Sequence, residues 1–114
     1  MTSLGNKMLV FQSQGLGGGD LELSQKMMRG FLKMLGKQPV KPHAIFFLGD
    51  SVKLLIRNST VLEFLQILEA EGVEILICKA AVEYYALESE LAVGKIISTG
   101  IWLKKMNDYE VITF

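Results

Sequence analysis

Val73-Glu74-Ile75-Leu76-Ile77-Cys78-Lys79-Ala80-Ala81-Val82-Glu83-Tyr84-Tyr85 decides the fold. Val73 to Ile77, entered from Gly72, is a short apolar run and reads as a strand. Ala80 to Leu87 reads as a short helix. A strand that turns into a helix without hairpin residues belongs to a parallel sheet. Cys78, the only cysteine, sits at the junction. Side chains at the carboxyl ends of parallel strands face the crevice where α/β proteins bind ligands. A thiol there, beside the first turn of a helix, is placed to be a thiolate. The plainer reading is a small buried hydrophobe, the commonest role of a lone cysteine.

The same alternation extends in both directions. Lys7 to Phe11 reads as a buried strand, followed by the strongest breaker in the chain, Gly15-Leu16-Gly17-Gly18-Gly19-Asp20. Asp20 is placed to cap a helix that runs to about Leu35 and stops at Gly36, with Glu22 in its first turn. Its apolar stripe, from Leu23 through Met27, Met28, Phe31 and Leu32 to Leu35, is wider than one sheet-facing side requires. Lys37 to Pro42 is a stiff connector holding both prolines. Ala44-Ile45-Phe46-Phe47-Leu48 is continuous and apolar, hence a central strand, ended by Gly49-Asp50-Ser51. Asn58-Ser59-Thr60 offers caps for a helix over Val61 to Glu71, with Leu62, Leu65 and Leu68 on one face and Gly72 as its stop. Lys95 to Ser98 reads as a fourth strand, Ile101 to Met106 as a helical turn, and Tyr109 to Phe114 as a last strand. The expected architecture is one domain over residues 1–114, a three-layer α/β/α sandwich with a mostly parallel sheet of about five strands.

Twelve basic and twelve acidic residues give zero net charge, and the Lys and Arg are scattered, so nothing marks a nucleic-acid surface. Half of the chain is apolar. Zero net charge with a mean hydropathy of +0.34 points to apolar surface covered by another subunit. A single cysteine fits a reducing compartment. Apolar runs of roughly five residues fall far short of the ~20 that span a bilayer, and no secretory h-region follows Lys7. The chain reads as soluble and cytoplasmic, with no membrane partner.

Few constellations carry chemistry. The glycine loop could cradle an anion, but no Gly-Lys-Ser/Thr follows. Asp20 also stands where a dinucleotide fingerprint wants its last Gly or Ala. A tight strand-to-helix turn is the simpler role. One Cys and one His cannot build a metal centre, and His43, before its strand, belongs at the opposite end of the sheet from Cys78. No metal and no cofactor is expected, and no Gly-x-Ser-x-Gly elbow is present. Glu83, Glu88 and Glu90 read as a solvated face. Cys78 remains: the helix start and Lys79 both favour thiolate, while Ala80 and Ala81 keep the approach slim. With no general base, such a thiolate suits sulfur exchange better than hydrolysis.

Four stretches together resemble the DsrE/DsrF-like family, and most closely the DsrE-type domain of the YedF-like sulfurtransferase group. They are Gln14 to Asp20 with the helix through Leu32; Asp50-Ser51-Val52-Lys53-Leu54; Val61 through Leu76; and Leu91-Ala92-Val93-Gly94-Lys95. The resemblance implies a three-layer α/β/α fold, homo-oligomers from dimer to hexamer, and sulfur handling. It places the persulfide-carrying cysteine after the third strand, where Cys78 stands. YedF-like chains often read Cys-Gly-x-Cys there; this chain reads Cys78-Lys79-Ala80-Ala81, so the second thiol is replaced by Ala81. The resemblance also implies a TusA-like sulfur carrier, here as a separate protein or a part outside this sequence.

The expected function is therefore a sulfur-relay protein, possible as a sulfurtransferase, that holds sulfane sulfur as a persulfide on Cys78. The competing expectation is a non-catalytic oligomeric module binding a small ligand or anion. Its crevice would be lined by Gly17, Gly18, Gly19, Asp20, Asp50, Ser51, Cys78 and Lys79. A flavodoxin-like flavin binder is disfavoured, because the glycine loop lacks the hydroxyls that usually hold the flavin phosphate.

Overall fold

The computed structural model describes residues 3–114; residues 1 and 2 of the expected domain lie outside the described residues. Five strands, β1 (Lys7–Phe11), β2 (Ala44–Phe47), β3 (Glu74–Cys78), β4 (Lys95–Ile97) and β5 (Glu110–Thr113), form one sheet in the order β4-β3-β2-β1-β5. Every pairing is parallel, with Phe11 beside Phe47 and Phe47 beside Ile77 at the carboxyl edge. The sheet is thus wholly parallel, and the three-layer α/β/α architecture expected from the sequence is the one observed.

Connection handedness explains the layers. From β1 to β4 the chain steps across the sheet in one direction, so right-handed crossovers put α1 (Leu21–Leu35), α2 (Leu62–Ala70) and α3 (Lys79–Tyr85) on one face. From β4 the chain returns to the far side of β1, and α4 (Thr99–Met106) lies on the other face. The first face buries the larger cluster. Leu9, Phe11, Ile45, Phe47, Ile75 and Ile77 of the sheet meet Met28 and Leu32 of α1, Leu65 and Leu68 of α2, and Val82 of α3. The second face is smaller. Met8, Val10, Ala44, Phe46, Leu76 and Ile97 pack with Trp102, whose ring lies tilted by 31° against Phe46 at 4.7 Å between centroids.

Strand-to-helix junctions follow local chemistry. Asp20 caps α1 by accepting the Leu23 N–H at 2.9 Å. Ser98 caps α4 through its hydroxyl oxygen, which accepts the Ile101 N–H at 3.3 Å. That cap helps carry α4 over eight residues, longer than the helical turn expected from Ile101. At α2 the cap position falls to Val61, which makes no side-chain bond; Ser59 Oγ accepts from Val61 N at 3.2 Å, one residue ahead of the helix. Gly72 stops the α2 segment with φ +97°, a conformation that disfavours any side chain.

Three 3-10 turns were not expected, at Leu4–Asn6, Gly49–Leu55 and Glu88–Glu90, and the second is the longest. After β2, Gly49–Leu55 winds into a 3-10 helix that buries Val52, Leu54 and Leu55. Gly49 enters it at φ +57°, a turn out of the sheet that the Gly49-Asp50-Ser51 breaker alone did not specify. No helix among the described residues is long and apolar enough to cross a membrane.

Candidate functional site

Cys78 is the last residue of β3 and the cap residue of α3, with extended backbone at φ −68° and ψ 117°. Its thiol makes no capping hydrogen bond. Strand alternation puts its side chain on the face of Leu76 and Ile97, under α4, and as a strand-end residue it touches both apolar clusters. It is half-buried and carries a free thiol. Ala81, one turn on, is buried against the α1–α3 core.

The opposite edge of the sheet is occupied by ion pairs. His43 Nε2 lies 3.3 Å from Glu74 Oε1, and Lys105 Nζ donates to the same oxygen at 2.8 Å. The His43 ring stacks on Tyr109 at 3.9 Å. The Lys105 hydrogen bond, offset in part by burial, holds the Glu74 carboxyl below its ordinary value. Four residue steps along β3 separate Glu74 from Cys78, about 13 Å of extended chain. His43 therefore sits too far away to serve Cys78 as a general base.

The other expected site residues are dispersed. Gly17, Gly18 and Gly19 form an exposed turn in which an added Cβ would meet nothing within 4 Å. Their loop is pinned instead at Gly15, where a Cβ would come within 2.3 Å of Ser24 Oγ, and by the Leu16 N–H bond to Ser24 O at 2.8 Å. Asp20 is exposed, and its carboxylate serves the α1 cap. Ser51 is fully buried, its hydroxyl set 2.9 Å from Phe11 O and 2.8 Å from Leu48 O. It satisfies carbonyls at the ends of two strands rather than facing a ligand. Lys79 is exposed on α3. Asp50 is held between Lys53 Nζ and Gln14 Nε2, at 2.8 and 2.9 Å. Those two hydrogen bonds, Lys53 first, depress its carboxyl below the ordinary range.

What the structure does assemble at this edge is a groove of about 550 Å³ on the α1–α3 face. Gln14, Lys53, Asn58, Ser59, Thr60 and Tyr85 bring polar groups to it. None of these was legible as a groove residue in the sequence, where Asn58, Ser59 and Thr60 read as helix caps, because the wall is drawn from separate segments. Among the described residues no three His, Cys, Asp or Glu side chains gather as a metal-holding group.

The model of the DsrE/DsrF-like family matches residues 20–114. The chain belongs to the DsrE/DsrF-like family. Solved structures repeat the fold. The YchN protein from E. coli matches with a TM-score of 0.71 at 17% identity, over 96% of this chain and 99% of that one. MTH1491 from Methanobacterium thermoautotrophicum, described as a protein of unknown function, matches at 0.68 and 12% identity, over 95% and 97%. BT1422 from Bacteroides thetaiotaomicron, described likewise, matches at 0.65 and 17% identity, over 96% and 95%. At such identities the shared property is the fold. No curated protein matches the chain. Within the DsrE/DsrF-like fold of this chain, the carboxyl edge offers one thiol, on the face of Leu76 and Ile97, and one groove of mixed polar and apolar lining on the α1–α3 face.

Proposed function

We propose that this DsrE/DsrF-like protein is a single-cysteine sulfur carrier of the YedF-like kind, holding sulfane sulfur as a persulfide on Cys78. The observation that carries the reading is the placement of the only cysteine, half-buried at the carboxyl end of β3, in a chain of this family. In the loading step the Cys78 thiolate attacks the outer sulfur of a donor persulfide, R–S–SH. A new S–S bond forms on Cys78, the donor's S–S bond breaks, and R–S⁻ leaves with the electron pair. Delivery repeats the step, an acceptor thiolate taking the outer sulfur and Cys78 leaving as thiolate. No external oxidant or reductant enters either step.

Ala81 in place of a second cysteine supports a carrier over a dithiol redox pair, since no second thiol exists to resolve the persulfide within the chain. The acceptor is then another molecule, and a TusA-like carrier protein fits that role. Self-association belongs to the same proposal. Leu23, Met27 and Met34 of α1 are 57%, 52% and 54% exposed, an apolar stripe consistent with a homo-oligomer in a protein of zero net charge. The test is intact-mass and peptide mass spectrometry after treatment with a small-molecule persulfide. The expected result is a gain of about 32 Da, one sulfur atom, on the peptide containing Cys78. Its absence, with Cys78 shown to alkylate under the same conditions, overturns the proposal.

A further inference from the structure

Among the residues lining the groove on the α1–α3 face one is charged, Lys53, and Asp50 beside the lining pairs with it. No Asp or Glu lines the groove itself. Its volume of about 550 Å³ falls in the range of small-molecule sites, about 300–1,000 Å³. Met28, Leu54, Val61 and Leu87 supply an apolar wall, while Asn58, Ser59 and Thr60 bring an amide and two hydroxyls.

Lys53 is held in place. Its ammonium donates to Asp50 Oδ1 at 2.8 Å and stands 4.4 Å from the centre of the Tyr85 ring. Gln14 takes the second Asp50 oxygen at 2.9 Å. Asp50 itself does not line the groove. The ammonium has three donors, of which Asp50 uses one, so donor capacity remains for a ligand. A cation would meet the Lys53 ammonium at the wall, and the nearest carboxylate, Asp50, is already paired with Lys53 and Gln14. A neutral molecule would forgo the charge-assisted bond, the strongest the groove can offer.

We propose that this groove binds a small organic anion, its acid group on Lys53 and its apolar body against Met28, Leu54 and Leu87. The site is independent of sulfur transfer, because the Cys78 side chain lies on the α4 face and does not line the groove. Asp50 acts as a positioning residue for Lys53, and its negative charge also opposes the ligand's. Removing that charge lessens the repulsion but also loosens the hold on Lys53, so the test rests on Lys53 itself.

The experiment is an NMR titration of the whole chain with three probes of one chain length: hexanoate, hexyl phosphate and hexanol. Hexanoate or hexyl phosphate is expected to give saturable shifts at Lys53, Asn58 to Thr60 and Tyr85, with hexanol at least about tenfold weaker. Whichever acid binds tighter identifies the head group as carboxylate or phosphate. Lys53→Gln is expected to weaken acid binding about tenfold and Lys53→Arg to retain it. The proposal is overturned by absence of saturable shifts up to about 10 mM probe. Equal binding of hexanol, or undiminished acid binding in a Lys53→Gln protein with unchanged spectral dispersion, overturns it as well.

Discussion

On one face of the sheet three helices seal a continuous apolar core; on the other, α4 alone covers a smaller cluster. The direction of chain progression produces this inequality, since only the return from β4 to β5 sends a helix to the second face. The two faces serve different ends. The thick face holds the fold together and opens a groove where α1, the 3-10 helix and the end of α3 fail to close over it. The thin face leaves the strand-end thiol beneath one short helix. A reactive group benefits from a cover with few contacts, because such segments open locally at lower cost than the core does.

Substitution in the thick face carries the largest expected effect. Leu65 is fully buried on α2, and Leu65→Ala is expected to lower the unfolding free energy by about 3 kcal/mol in a urea titration. Trp102→Ala on the thin face is expected to cost less, about 2 kcal/mol, because the indole is only half-buried and lies tilted against Phe46. Its more telling readout is hydrogen exchange: protection falls in α4 and stays unchanged in α1 and β2. Equal losses from the two substitutions, with protection falling uniformly, would remove the distinction between the faces.

A smaller effect tests how the carboxyl edge is built. Ser51→Ala leaves Phe11 O and Leu48 O without the buried hydroxyl they share, and is expected to cost about 1–2 kcal/mol. It should leave sulfur loading of Cys78 unaltered, since Ser51 faces the backbone rather than a ligand.

The smallest effect concerns the amino edge, where Lys105 of α4 is tied to Glu74 of β3. The depressed Glu74 carboxyl contributes stability that is fully present above its unfolded value near 4.5 and is lost as pH falls through the lower folded value. Glu74→Gln is therefore expected to cost under about 1 kcal/mol at neutral pH, the half-exposed pair being well screened by solvent. It is also expected to flatten the fall in stability below pH 4.5. An unchanged acid limb in chemical denaturation would show that the tie contributes nothing.

Much of this molecule was legible before its fold was seen. The runs Lys7 to Phe11, Ala44 to Phe47 and Glu74 to Cys78 are buried on both faces, so their near-continuous apolar character marks central parallel strands. Asp20 and Gly36 bracket α1 by local chemistry alone. The 3-10 helix was hidden because the burial of Val52, Leu54 and Leu55 follows neither the strand nor the α-helix period. Ser51 was legible as a polar residue at a strand end, but its acceptor Phe11 O lies forty residues away in the chain, so its structural role was not. The groove stayed invisible for the same reason: Gln14, Lys53, Asn58 and Tyr85 meet only when four segments pack. Cys78, by contrast, was legible because strand, helix and thiol are contiguous.

Delivery of sulfur from Cys78 in a single turnover is the most direct measurement. Protein loaded with sulfane sulfur and freed of donor is mixed with one equivalent of a small acceptor thiol, and its mass is followed in time. The expected course is loss of one sulfur atom from Cys78, its appearance as acceptor persulfide in equal amount, and a regenerated free thiol that loads again. Sulfur that stays on Cys78, or that leaves only as Cys78 becomes locked in a mixed disulfide, would contradict a carrier.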